Sequence, residues 1–121
     1  MLQMVAEFQK ASDQPVNDKP TLCEVKENSL RWSLMKEENN EYQDACLDKD
    51  MVEVLDACVD MMYILAGTIN QHGLQEAFVK GFKRVHKNNM TKVVDGKVIR
   101  NSEGKILKPE GYVSVDLSDL V

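Results

Sequence analysis

The sequence lacks several things that whole classes of function require. Its three cysteines, Cys23, Cys46 and Cys58, form no CxxC pair and leave an odd thiol, so no disulfide framework is implied. All three fall in segments that read as helical, where a free thiol behaves as a small buried hydrophobe. A reduced, cytoplasmic setting is expected. No run approaches the length of a membrane span. The opening stretch MLQMVAEFQKASDQ carries acid and polar residues where an export signal needs an apolar core. There is no internal repeat and no low-complexity segment. A basic excess is also missing. The formal net charge of −5 argues against a nucleic-acid polymer or a membrane surface as partner. It leaves an anionic small substrate open, because a bound cation inverts the local field. The two histidines, His72 and His86, stand in no partner pattern and read as structural or surface groups.

What is present fits one domain. A chain of 121 residues with 43% hydrophobic and 29% charged content is large enough for one core and too small for two. The periodicity predicts a short amphipathic helix over 2–12, with Leu2, Val5, Phe8 and Gln9 on one face. Two prolines and polar residues make 13–20 a loop. A second helix is predicted from 22 or 23 to 47, a short connection over 48–50, and a third helix over 51–71 with Gly73 as its stop. A fourth, over 74–89, directs Ala77, Phe78, Phe82 and Val85 toward the core. From residue 91 the character changes. Asp95-Gly96 and Glu103-Gly104 are turn signals between β-branched pairs, which suggests a small hairpin or an extended arm, with the last residues extended or poorly ordered.

The most unusual feature is a crowd of acids inside segments built for burial. Residues 37–60, EENNEYQDACLDKDMVEVLDACVD, hold nine carboxylates and one lysine. On the third helix Val52, Leu55, Val59, Met62, Ala66 and Ile69 form one stripe. Met51, Cys58 and Leu65 widen it, and Val54, Met61 and Ile64 are apolar on the far side. Only one narrow sector is acidic, Glu53, Asp56 and Asp60, with Gly67 in the same line. Helix-terminal chemistry accounts for part of this: Asp50 is a candidate N-cap with Glu53 as its reciprocal partner, and acids suit a first turn. Asp60 lies two turns deeper, beyond that account. On the second helix Glu38 and Glu41 continue the Leu30–Leu34 stripe, whereas Glu37 and Asp44 read as a solvated face. If the two helices pack as antiparallel neighbours, Glu38, Glu41, Glu53 and Asp56 converge. Four close carboxylates stay ionised only beside a cation. An oxygen-only set selects Mg²⁺, or Mn²⁺ as a substitute, over zinc.

The arrangement Glu38-x-x-Glu41, eleven intervening residues, then Glu53-x-x-Asp56 resembles the ExxE…ExxD signature of the all-α nucleoside triphosphate pyrophosphohydrolases. FQKASDQPVNDKPTL, LRWSLMKEENNEYQDA, VLDACVDMMYILAGT and VHKNNMTKVVDGKVIRNSEGKILKPEGY together look like the small MazG-like, phosphoribosyl-ATP-pyrophosphohydrolase-like proteins. Asp60-Met-Met-Tyr63 also has the look of the family's aspartate segment, with Ala57 where a glutamate would stand three residues earlier. A second register, Asp60 with Asp56, therefore stays open beside the Glu53/Asp56 pair, with Asp60 as a further ligand or water-orienting base.

The resemblance implies an all-α, MazG-like bundle of four to five helices completed by oligomerisation, as a homodimer or homotetramer. The helical part is expected over about 1–90 and the arm over about 91–121 of a single domain. The implied reaction is (d)NTP + H₂O → (d)NMP + pyrophosphate, with Mg²⁺ held by Glu38, Glu41, Glu53 and Asp56. Glu41 or Asp60 would take the proton of water. On the fourth helix and beyond, Arg84, Lys87 and Lys92 are candidates for phosphate contact. Asn88 or Asn89 is a candidate for reading the base or sugar, and Trp32 for stacking on a base. Phosphoribosyl-ATP is an alternative substrate. A non-catalytic helical module with an acidic docking surface is the rival from another class. A di-iron bundle would want Glu-x-x-His motifs, and neither histidine supplies one.

Overall fold

The structure, a computed structural model, describes residues 1–121 and is all-α: four helices and no strand. The helices are α1 (Leu2–Ala11), α2 (Val25–Leu47), α3 (Met51–Gln71) and α4 (Gln75–Met90), and a 3₁₀ turn, Ser118–Leu120, follows. The chain divides into two compact units, Met1–Gln75 and Glu76–Val121.

In the first unit α3 is the central element, packed against α2 on one side and α1 on another. Its start is fixed by Asp50, whose carboxylate accepts from the Val52 and Glu53 N–H groups at 3.0 and 3.2 Å. The reciprocal half of the expected capping box does not form. The Asp50 N–H goes to the Ala45 carbonyl, and the Glu53 carboxylate is left for other work. The end of α3 is a Schellman motif. Leu74 N–H bonds to the Ile69 carbonyl and Gly73 N–H to that of Asn70. Gly73 sits at φ +64, and a Cβ there would lie 2.0 Å from the Lys19 carbonyl oxygen. Only glycine serves both needs.

Helix α2 begins later than expected, at Val25, so Cys23 precedes the helix instead of lying in it. Residues 17–21 run along the end of α3, with Asn17 and Thr21 N–H groups bonded to the Asn70 and His72 carbonyls. That docking holds the stretch extended until Glu24 opens the helix. Cys46 and Cys58, expected to be buried, are exposed.

The interior of this unit holds small and polar groups more than large apolar ones. Val5, Ala45, Ala57, Ala66 and Ile69 are buried, together with Gln9, Arg31, Asn70 and Gln71. Gln9 donates to the Gly67 carbonyl at 2.9 Å, and Asn70 donates to Gln9 Oε1 and to the Leu2 carbonyl. The broad apolar stripe of α3 is not covered. Met51, Val52, Leu55, Val59 and Met62 are all exposed in the single chain, and Leu30 of α2 is too. Two layers of helix do not supply enough surface to enclose a helix that is apolar nearly all round.

In the second unit, α4 presents Gly81 to Leu117 and Leu120 of the C-terminal segment, with room for both side chains. Phe78 and Phe82 lie 6.2 Å apart by ring centroid, and Phe82 is exposed instead of entering a core. Of the expected hairpin or extended arm, the hairpin is not confirmed, since no strand is present. Asp95 and Gly96, both at positive φ, make a tight turn closed by one bridge, Val94↔Lys97, and a second isolated bridge joins Arg100 and Ile106. Among the last residues, Ser118–Leu120 form a 3₁₀ turn, and just before it Asp116 accepts from the Ser118 N–H.

Candidate metal and nucleotide site

Helices α2 and α3 form an antiparallel pair, since their Asp48–Asp50 connection admits nothing else and residues early in α2 face residues late in α3. The pair brings Glu38, Glu41 and Asp60 together, each offering an oxygen within 4.8 Å of the others. Glu38 and Asp60 are half-buried and Glu41 is exposed. Burial, a hydrogen bond with Glu41, and then the charges of Glu41, Asp60 and Glu37 push the Glu38 carboxyl up to about 7. Burial, helped by the charges of Asp56 and Glu41, raises Asp60 as well. No cationic side chain figures among the influences on either group.

A metal ion fits this set. Glu38 Oε2 is shielded from solvent and has no hydrogen-bond partner, an orphaned oxygen on a member of the trio. The donors are carboxylates without His or Cys, the chemistry of a hard divalent ion. A contiguous crevice between the same helices is lined by Glu41, Asp44, Asp48, Glu53 and Asp56, floored by Ala45 and Ala57. Glu41 thus belongs to both groups. Glu53 and Asp56 lie on the crevice side, and Asp60 lies on the Glu38 side.

Two sets of residues escaped the sequence reading. Asp44 is exposed, as expected of a solvated face, and also lines the crevice, and so does Asp48. The signal was their spacing from Glu41, three and seven residues on. Arg31 gives no sign of burial in its hydropathy, yet it is 5% exposed and lies seven residues before Glu38 on the same face. Burial lowers its pKa.

The remaining candidates are placed as follows. Trp32 is exposed in a shallow crevice with Val25, Asn28 and Ser29, and the Lys36 ammonium lies 5.1 Å from its ring centre. In the second unit Arg84 pairs with Asp119 through two contacts, 2.5 and 2.8 Å, and donates to the Asp116 carbonyl. Asn88 donates to the Tyr112 hydroxyl at 2.6 Å. Lys92 donates to Asn89 Oδ1 at 3.1 Å, and its ammonium lies 5.6 Å from the Tyr112 ring centre. Lys87 is exposed.

The helical fold belongs with the all-α, MazG-like nucleotide pyrophosphohydrolases. More narrowly, the family model described as phosphoribosyl-ATP pyrophosphohydrolase matches residues 5–89, and the chain belongs to that family. The matched region runs from α1 almost to the end of α4. A comparison with curated proteins returns no match. Family membership supports a pyrophosphohydrolase-type activity on a nucleotide. No helix of the chain is long and apolar enough to cross a membrane.

Proposed function

We propose that the chain is a Mg²⁺-dependent nucleoside triphosphate pyrophosphohydrolase that converts a (d)NTP and water to a (d)NMP and pyrophosphate. The observation that carries this reading is the convergence of Glu38, Glu41 and Asp60 from two helices, with an orphaned Glu38 oxygen among them. Glu38, Glu41, Glu53 and Asp56 hold the metal, with Asp60 as a further ligand or base. Magnesium, when bound, supplies neutralisation of phosphate charge and acidifies water. Glu41 or Asp60 accepts the proton as the water oxygen bonds to phosphorus and the bridging P–O bond to pyrophosphate breaks. Arg84, Lys87 and Lys92 neutralise phosphate oxygens, Asn88 or Asn89 reads the base or sugar, and Trp32 stacks on a base. In this proposal residues 1–121 act as one domain in the cytoplasm, as a homodimer or homotetramer whose contacts cover the apolar face of α3.

Phosphoribosyl-ATP is the second substrate to test, favoured by the description of the family itself. The experiment is a panel of canonical and damaged nucleotides and phosphoribosyl-ATP with Mg²⁺, scored by pyrophosphate release. Glu41→Gln is nearly isosteric and abolishes turnover with the fold intact; activity that survives it removes the assigned site. An acidic docking module would release no pyrophosphate from any of these substrates and bind divalent metal weakly.

A further inference from the structure

The inner line of α2 runs Arg31, Glu38, Ala45 at intervals of seven, and the facing line of α3 runs Gly67, Asp60, Glu53 at the same interval. Two of these facings are seen directly. Arg31 lies against Gly67, and Glu38 meets Asp60 two turns further along. A repeat of seven keeps a residue within about 20° of its starting face. One helix–helix register therefore sets both meetings.

The Arg31–Gly67 contact is tight and tied. A Cβ on residue 67 would lie 2.7 Å from Arg31 Nη1 and 3.3 Å from Gln9 Nε2. The end of a free arginine would swing aside, but this one is 95% buried, bonds through Nε to Gln71 Oε1 at 3.3 Å, and bonds through Nη2 to Gln14 Oε1. Gln71 stands on α3 and Gln14 just beyond α1, so the guanidinium joins all three helical elements of the unit. No carboxylate pairs with it. A buried charge held only by amides is a costly choice if the purpose is stability alone.

We propose that Gly67, whose bare backbone receives the Arg31 guanidinium, is a positioning residue that permits the α2–α3 register in which Glu38 and Glu41 meet Asp60. The inference rests on the metal-site reading for its consequence, though not for its geometry. A methyl group at position 67 forces the guanidinium off its amide partners or the helices apart, and in either case moves Glu38 relative to Asp60.

The test compares wild type, Gly67→Ala and the double variant Gly67→Ala/Arg31→Met, which removes the nitrogen that the new methyl strikes. Each carries Cys23→Ser, so that nitroxides on the exposed Cys46 and Cys58 report the α2–α3 spacing by dipolar broadening, diluted with unlabelled chain. Mn²⁺ affinity is read separately by the free-ion EPR signal, on protein shown to be helical by circular dichroism. The expected result is altered broadening and about tenfold weaker Mn²⁺ binding in Gly67→Ala, a loss of about 1.4 kcal/mol. The double variant regains both readouts even though its melting temperature stays low. A purely structural role lowers the melting temperature alone. Unaltered broadening in Gly67→Ala, or no recovery in the double variant, overturns the inference. If wild type binds no Mn²⁺ while the broadening changes as expected, the metal reading falls and the register inference stands. Should Gly67→Ala fail to fold, the double variant decides: folded with wild-type broadening it supports the inference, and unfolded it refutes it.

Discussion

Glu38 on α2 and Asp60 on α3 share one spot, and the Asp60 charge is among the influences that make Glu38 costly to ionise. The consequence for pH has a definite sign. Glu38 binds its proton more tightly folded, at about 7, than its ordinary value of 4.5. Its contribution to stability is full below about 4.5 and is lost as pH rises through about 7. The metal-free protein should therefore lose melting temperature across that window, and Glu38→Gln should flatten the slope and raise the melting temperature at pH 8. Mn²⁺ competes with the same proton, so its affinity should climb as pH passes through 7. A wild-type slope unchanged in Glu38→Gln would show that Glu38 does not carry the effect.

Glu41 lies in two groups of acids, and this allows the two sides to be separated. Asp60 completes the trio with Glu38, whereas Glu53 and Asp56 line the crevice beyond Glu41. Asp60→Asn should weaken the first Mn²⁺ bound by about tenfold or more, a loss of one charged oxygen from a three-oxygen set. Glu53→Gln and Asp56→Asn should act on a second ion or on turnover, with less effect on that first affinity. Calorimetric titration of the three variants gives the order. Equal losses in all three would mean one undivided site.

Much of this was legible in the sequence, for identifiable reasons. The bounds of α3 follow from Asp50 and Gly73, residues whose local chemistry acts whatever they are packed against. The inward line of Glu38 and Asp60 follows from helical period. Arg31 was not legible, because lone charges usually face water, and its partners Gln14 and Gln71 are distant in sequence. Leu30, its neighbour, claimed the inner face on hydropathy and is exposed instead. In the C-terminal segment the turn residues acted as read, but β-branched pairs without a partner strand gave isolated bridges only.

Arg84 offers a test of the phosphate assignment. Its guanidinium is engaged by Asp119, whose carboxyl it holds below the usual range. Both side chains are exposed, so the pair contributes little to stability. Asp119→Asn should leave the melting temperature nearly unchanged while lowering KM for the triphosphate, because the phosphate no longer competes with a carboxylate. Arg84→Met should raise KM with kcat altered by less than about twofold, the pattern of lost ground-state binding. Steady-state kinetics on both variants decides the matter, and an unmoved KM in each would remove Arg84 from the substrate contacts.

The uncovered face of α3 carries the last prediction. Val52, Leu55, Val59 and Met62 follow one another at steps of three and four, and all four are exposed, Leu55 by 63% and Val59 by 54%. Beside them Met1, Met4, Val59, Met62 and Tyr63 line an apolar groove shared with α1. Burying a side chain of this kind contributes about 1.5–3 kcal/mol, so four of them on each of two chains would hold a stable dimer even after the entropy of association. Sedimentation should accordingly find the wild-type chain as a dimer or tetramer at micromolar concentration. Leu55→Lys or Val59→Lys places a charge in that face and should yield a monomer, since an unpaired buried charge costs more than the lost contact. Neither side chain is a carboxylate of the proposed site, so the Mn²⁺ affinity of the monomer shows whether the trio on α2 and α3 is complete within one chain. A wild-type protein that sediments as a monomer would leave this face solvated and the oligomeric assignment wrong.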